Sequence, residues 1–204
     1  MRTTVFSFFP AFTRHFEGYL LHPYLDVEGY ETVGAGNLID PVSAALPLPW
    51  KISGVLATQA QIRADWLACK RLPSGVHYAA GYYESATSIR LDPADVDALV
   101  DQRLTLNDHD LEARLTPGRW EELPARAQLA LLSWAWACGP EEHAPHLFAA
   151  LETGDWARAA DEVHLEDSHN PGLVPRNAAN RALLLACVTH EDDLDGLSYE
   201  LPTP

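Results

Sequence analysis

The sequence predicts an α+β protein, mostly helical, with a small β element near the N-terminus and a larger helical part after it. Three observations carry this. Residues 22–37 are rich in Tyr, Val and Thr and are punctuated by Glu28-Gly29 and Gly34-Ala35-Gly36, the composition of short strands joined by turns. From Asp92 onward, apolar residues recur at helical spacing. The stretch ARAQLALLSWAWACG (125–139) is apolar nearly all round, which marks a buried central helix.

In chain order, a first helix is expected from Pro10 to Glu17. Proline suits a first helical position, Phe12 and Phe16 share a face at i, i+4, and Gly18 is a natural stop. The strands of 22–37 follow. Residues 40–57, rich in Pro and Gly, read as loop. Thr58 to Lys70 reads as a helix with Ile62, Trp66 and Leu67 on one stripe, and residues 71–91 read as irregular. Asp92-Pro93 is an N-cap followed by a first-turn proline, and Val96, Leu99, Val100 and Leu104 continue the stripe. Pro124 opens the central helix, which Gly139 ends. His146–Glu152 and Asp155–Leu165 form a helical hairpin broken at Gly154, and Asn177–His190 is the last helix. The 204 residues are expected to form a single domain. A β-containing lobe spans about 18–90, a helical lobe takes 1–17 and about 91–190, and an acidic tail, 191–204, is expected to be loose.

Composition excludes several function classes. A formal net charge of −15 gives no electrostatic footprint for phosphates, so nucleic acid is not an expected partner. The same charge repels anionic membranes and cell-wall polymers on average. No stretch is long enough to span a membrane. Cys69, Cys138 and Cys187 are an odd number with no CxxC pair, so neither a disulfide framework nor a zinc site is expected. The N-terminal apolar run is short, Pro10 interrupts it and no small-residue cleavage site follows. It reads as part of the fold, which implies synthesis in the cytoplasm without a signal peptide.

Chemistry concentrates between Glu17 and Asn37. A carboxylate in the last turn of a helix faces the negative end of the helix dipole, which favours its protonated form. That is the state a general acid needs at neutral pH, although a surface Glu is the commoner occupant of such a position. If Gly29 sits in the left-handed position at the centre of a three-residue loop, Asp26 and Thr32 face each other across the ladder. A Thr hydroxyl beside a carboxylate can hold an oriented water. A Glu acid opposite an Asp–water–Thr unit is the arrangement of an inverting glycosidase, whose carboxyls stand ~6.5–9.5 Å apart. The plainer alternative is an ordinary hairpin with an Asp capping its turn. The histidine clusters, His143 and His146 after Glu141-Glu142, and His164 with Glu166 and His169, match no zinc spacing and read as solvated surface.

Glu17-Gly18, Tyr24, Asp26, Gly29-Tyr30, Thr32, Gly34 and Gly36 resemble the active-site signature of the phage-type lysozymes, the family of T-even phage lysozyme. The Glu-to-Asp and Asp-to-Thr spacings match that family without a gap. IRLDPADVDALV (89–100) looks like its long inter-lobe helix and AQLALLSWAWACG (127–139) like its buried central helix. LETGDWARAADEV (151–163) and GLVPRNAANRALLL (172–185) resemble its closing helices, in the same order. The resemblance implies a two-lobed lysozyme-like fold and cleavage of the β-1,4 bond after N-acetylmuramic acid in peptidoglycan. Glu17 would be the acid, Asp26 would activate water and Thr32 would position it. Tyr24 and Asn37 would support the site, and Arg176 falls where the family's arginine pairs with the catalytic Glu. A helix-capping surface charge is the alternative for Arg176.

Three departures stand out. Asn37 replaces the family's usual His, Pro175 replaces the first of its paired arginines, and a segment over about 41–88 is longer than in the smallest members. That segment carries Trp50, Trp66, Tyr78, Tyr82 and Tyr83, which either stack on sugars or serve as core. The resemblance implies no cofactor and no metal, a monomer, and peptidoglycan as substrate. The site of action would be the cell wall in the periplasm, reached as an endolysin or as a secreted antibacterial toxin of the pesticin-like or type VI kind. A toxin would have a cognate immunity protein as a partner. A non-catalytic glycan-binding module and a chitinase-like glycosidase are the competing functions.

Overall fold

The computed structural model describes residues 1–189 and 195–197. The fold is mixed α+β and mostly helical, as expected. It divides into two compact units, one of Met1–Phe16 with Arg103–Pro204 and one of Glu17–Gln102. The boundary falls inside a helix, α4 (Pro93–Glu112), rather than near residue 90.

In the unit Glu17–Gln102, β1 (Leu20–Leu25), β2 (Glu31–Gly34) and β3 (Asn37–Leu38) form an antiparallel sheet in sequential order. Residues 40–57 are not all loop. They contain a one-turn helix, α2 (Val42–Ala45), and a second hairpin, β4 (Lys51–Ile52) with β5 (Val55–Leu56). Proline-rich flanks hid these elements, which are short enough to leave no periodicity. Helix α3 (Gln59–Lys70) starts where expected. Thr58 Oγ1 accepts from the Gln61 amide and Gln61 Oε1 accepts from the Thr58 amide, a full capping box. Leu67 is 46% exposed, so the inward stripe of α3 runs through Ile62, Trp66 and Cys69 instead. Residues 80–86 form a 3-10 turn inside the segment read as irregular.

Two clusters make this unit's core. Val33, Ile39, Trp50, Ile62, Ile89, Leu91 and Val96 form one; Tyr24, Leu25, Cys69 and Tyr83 form the other. Trp50 and Tyr83 are therefore core and not sugar platforms, whereas Tyr82 is exposed. Gly34 shows why glycine is needed at the β2–β3 turn. Its φ is +70°, and a Cβ there would lie 2.8 Å from Val96 Cγ1 on α4. Gly34→Ala is expected to lower stability by about 1–3 kcal/mol, read from urea unfolding midpoints. An unchanged midpoint would mean that α4 can yield at Val96.

In the other unit, α1 (Thr3–Glu17) begins before Pro10, which lies inside it. Val5 and Phe9 carry the buried stripe of Phe12 upstream, and burying them outweighs the hydrogen bond that proline forfeits. The central helix α6 (Ala125–Cys138) is buried from Ala125 to Trp136. Phe9 meets Trp136 at 5.1 Å and Trp134 meets Phe148 at 6.2 Å between ring centroids. The unit also holds α5 (Arg119–Glu122), α7 (Pro145–Thr153), α8 (Trp156–Glu162) and, packed along α6, α9 (Leu173–Thr189). The last begins four residues before the expected Asn177, because Pro175 falls in its first turn, where a missing N–H costs nothing. Of the acidic tail, residues 195–197 are described, and Asp195 pairs with Arg2 at 2.8 Å; the rest lies outside the described residues. No described helix is long and apolar enough to cross a membrane.

Candidate functional site

Glu17, Tyr24, Asp26, Thr32 and Asn37 all lie in the unit Glu17–Gln102. Glu17 is the last residue of α1 and is half-buried; Gly18 follows with φ +75° and ends the helix.

The hairpin differs by one step from expectation. Tyr24 pairs with Thr32 and Leu25 with Glu31, so the loop is centred on Glu28 and not on Gly29. Gly29 is left-handed, with φ +83°, but as the third residue of the loop. This is the geometry of a turn followed by a glycine bulge, in which the left-handed residue closes the loop instead of bisecting it. Asp26 therefore closes on Tyr30, whose carbonyl accepts from the Asp26 amide at 2.9 Å. Asp26 and Thr32 still share a face by strand alternation, but as diagonal neighbours, not as an opposed pair.

Asp26 is half-buried and its Oδ1 accepts from the amides of Glu28 at 3.0 Å and Tyr30 at 2.8 Å. Oδ2 takes part in neither bond. Burial pushes the Asp26 carboxyl above its ordinary range, the neighbouring Glu28 charge adds to this, and the loop amides of Tyr30, Glu28 and Gly29 pull it back down. Thr32 is 5% exposed, and its Oγ1 donates to the Tyr30 carbonyl at 3.2 Å. With its proton used there, the hydroxyl has lone pairs left to accept a hydrogen from water.

Tyr24 and Asn37 are both buried. Tyr24 sits in the cluster with Leu25, Cys69 and Tyr83. Asn37 donates from Nδ2 to the Leu99 carbonyl at 3.3 Å, tying β3 to α4. Arg176 belongs to the other unit and is no surface charge: it is 2% exposed and donates from Nη1 to the Ser133 carbonyl at 2.9 Å. Its guanidinium stands 5.0 Å from the ring of Phe16. The histidines at 143, 146, 164 and 169 are exposed, and no group of described residues has the make-up to hold a metal ion. His143, His146 and His164 border a pocket of about 450 Å³ in the helical unit, lined also by Trp134, Cys138 and Glu142.

Three residues that the motif did not single out surround the hairpin. Lys70, at the end of α3, donates to the Gly29 carbonyl and to Asp40 Oδ2, each at 2.6 Å. Asp40 Oδ2 also accepts from the Glu31 amide at 3.2 Å. Glu31 has its side chain wholly buried, and neither carboxyl oxygen has a hydrogen-bond partner. Its burial pushes the carboxyl up to about 9; Lys70 pulls it down, while Asp40 and Asp65 push it further up. Strand alternation was the available signal for Glu31: with Thr32 on one face, Glu31 must point to the other.

No known protein-family model matches the chain, and no curated protein matches it.

Proposed function

We propose that the chain is a glycoside hydrolase, a muramidase that cleaves the β-1,4 bond between N-acetylmuramic acid and N-acetylglucosamine in peptidoglycan with inversion. The observation that carries this is the state of Asp26. One of its oxygens is locked by two loop amides, it shares a strand face with the Thr32 hydroxyl, and its burial makes it a stronger base. Diagonal neighbours across a ladder stand about 7–8 Å apart, which leaves room for a water between them.

In this reading Glu17, protonated, gives its proton to the glycosidic oxygen as that bond breaks. Water held by Thr32 attacks the anomeric carbon from the opposite face, and Asp26 takes the proton that the water loses. The sugar released carries an inverted anomeric hydroxyl. Glu17 ends as a carboxylate and Asp26 as an acid, and exchange with solvent restores both. The two-lobed lysozyme-like architecture, a monomeric state, and action on the periplasmic cell wall as an endolysin or secreted toxin belong to the same proposal.

The test is mass analysis of fragments released from purified peptidoglycan. Wild type is expected to yield reducing-end N-acetylmuramic acid, and Asp26→Asn to release about a hundredfold less. Asparagine keeps an Oδ1 to accept from Glu28 and Tyr30, so the hairpin is expected to survive. Reducing-end N-acetylglucosamine, or cleavage of chitin oligomers alone, would replace muramidase with another glycosidase. Binding without release by wild type would make the chain a glycan-binding module.

A further inference from the structure

The segment over 41–88 supplies more than core. Its helix α3 ends at Lys70, whose Nζ stands 5.5 Å from the centroid of Trp66, one turn earlier. Trp66 Nε1 in turn donates to the Ile39 carbonyl at 3.1 Å. The ammonium is thus held from behind, and its ion pair with Asp40 leaves only 28% of the Lys70 and 16% of the Asp40 side chain exposed.

The carbonyl of Gly29 and the N–H of Tyr30 belong to one peptide unit. The carbonyl accepts from Lys70 at 2.6 Å and the N–H donates to Asp26 Oδ1 at 2.8 Å. The two groups of a trans peptide point in opposite directions. The ammonium, the peptide dipole and the carboxylate therefore form one polarised chain of hydrogen bonds, in which each bond strengthens the next. The Glu31 amide, on the far side of the turn, reaches the same ion pair through Asp40. Ser74, just beyond α3, leaves only 3.1 Å between its Oγ and the place of a Cβ on Gly29.

We infer that Lys70 is a positioning residue: it fixes the Gly29–Tyr30 peptide plane, and through that plane holds Asp26 Oδ1 on the amides of Glu28 and Tyr30, with Oδ2 outside those two bonds. The role rests on the muramidase reading only in taking Asp26 as the base. Glu28 on the loop pushes the Asp26 carboxyl up and Asp26 in turn pushes Tyr83 on the 3-10 turn up, while Asp40 and Glu31 face the Lys70 ammonium.

Two measurements test it on the full chain. One is amide hydrogen exchange at Glu28 and Tyr30, which needs no substrate. The other is kcat, KM and the pH–rate profile on soluble glycan strands prepared from peptidoglycan. Lys70→Met keeps the aliphatic stem and removes the ammonium. It is expected to speed Tyr30 exchange about tenfold relative to Leu131 in α6. It is also expected to lower kcat about 10–100-fold with KM nearly unchanged. The acid limb of the profile is expected to move to higher pH, because the Tyr30 N–H bond that holds the Asp26 carboxyl down loosens when the Gly29 carbonyl loses its donor. Lys70→Arg keeps charge and donors and is expected to recover most of kcat. Unchanged Tyr30 exchange and kcat in folded Lys70→Met would overturn the role. If wild type cleaves no glycan, the muramidase reading falls and exchange alone decides: faster exchange upholds the clamp and unchanged exchange overturns it. If Lys70→Met does not fold, Lys70→Gln takes its place under the same criteria.

Discussion

Glu17→Gln is expected to lose about 10²–10⁴-fold in glycan cleavage while unfolding at the same temperature as wild type. Glutamine matches glutamate in shape and can occupy the same half-buried place at the end of α1, but it has no proton to give a leaving oxygen. The loss should therefore depend on the leaving group. A sugar alkoxide leaves poorly without a proton, whereas a nitrophenolate leaves readily, so the defect is expected to shrink sharply on a nitrophenyl glycoside. Equal losses on both substrates would assign Glu17 to binding or packing. Full activity on peptidoglycan would remove it from the mechanism. Asp26→Asn is expected to behave differently, because activation of water is needed whatever group departs. The pair of variants thus separates the acid from the base.

How much was legible follows from the range of the interactions. Helix α6 was readable because a run apolar on every side can only be buried, and it is buried from Ala125 to Trp136. The start of α3 was readable because Thr58 and Gln61 cap it locally. The start of α1 was not, because Pro10 reads as a first helical position, and only the burial of Val5 and Phe9 upstream carries the helix back past it. The hairpin was half readable. Gly29 correctly marked a left-handed residue, but whether it centres the loop or closes it moves the register by one pair, and only the ladder decides. Arg176 left two alternatives open on sequence, and burial against Ser133 removes the surface one. The bond from Lys70 to Gly29 spans 41 positions and leaves no mark in either segment.

Glu31→Gln is expected to stabilise the protein, and by more as pH rises. In the folded chain the Glu31 carboxyl is raised to about 9 from an ordinary value of 4.5, with burial as the main cause. A folded-state value above the unfolded one means that the native state holds a proton the unfolded chain releases. This contribution to stability is whole below about pH 4.5, falls as pH rises and is exhausted near pH 9. The slope is about 1.4 kcal/mol per pH unit, so at pH 8 the glutamine variant should be about 3–5 kcal/mol the more stable. Urea unfolding of both proteins at pH 5, 7 and 9 measures this, and the difference between the curves cancels the other titrating groups. Parallel curves would mean that Glu31 is solvated or paired in solution. A widening gap would leave the question of why the chain retains so costly a group one residue before Thr32. The answer can be read from activity, because an ionised Glu31 competes with Asp40 for the Lys70 ammonium. If that competition reaches the Gly29 carbonyl, wild-type turnover should fall more steeply towards pH 9 than that of Glu31→Gln, because the alkaline limb set by the Glu17 acid is common to both.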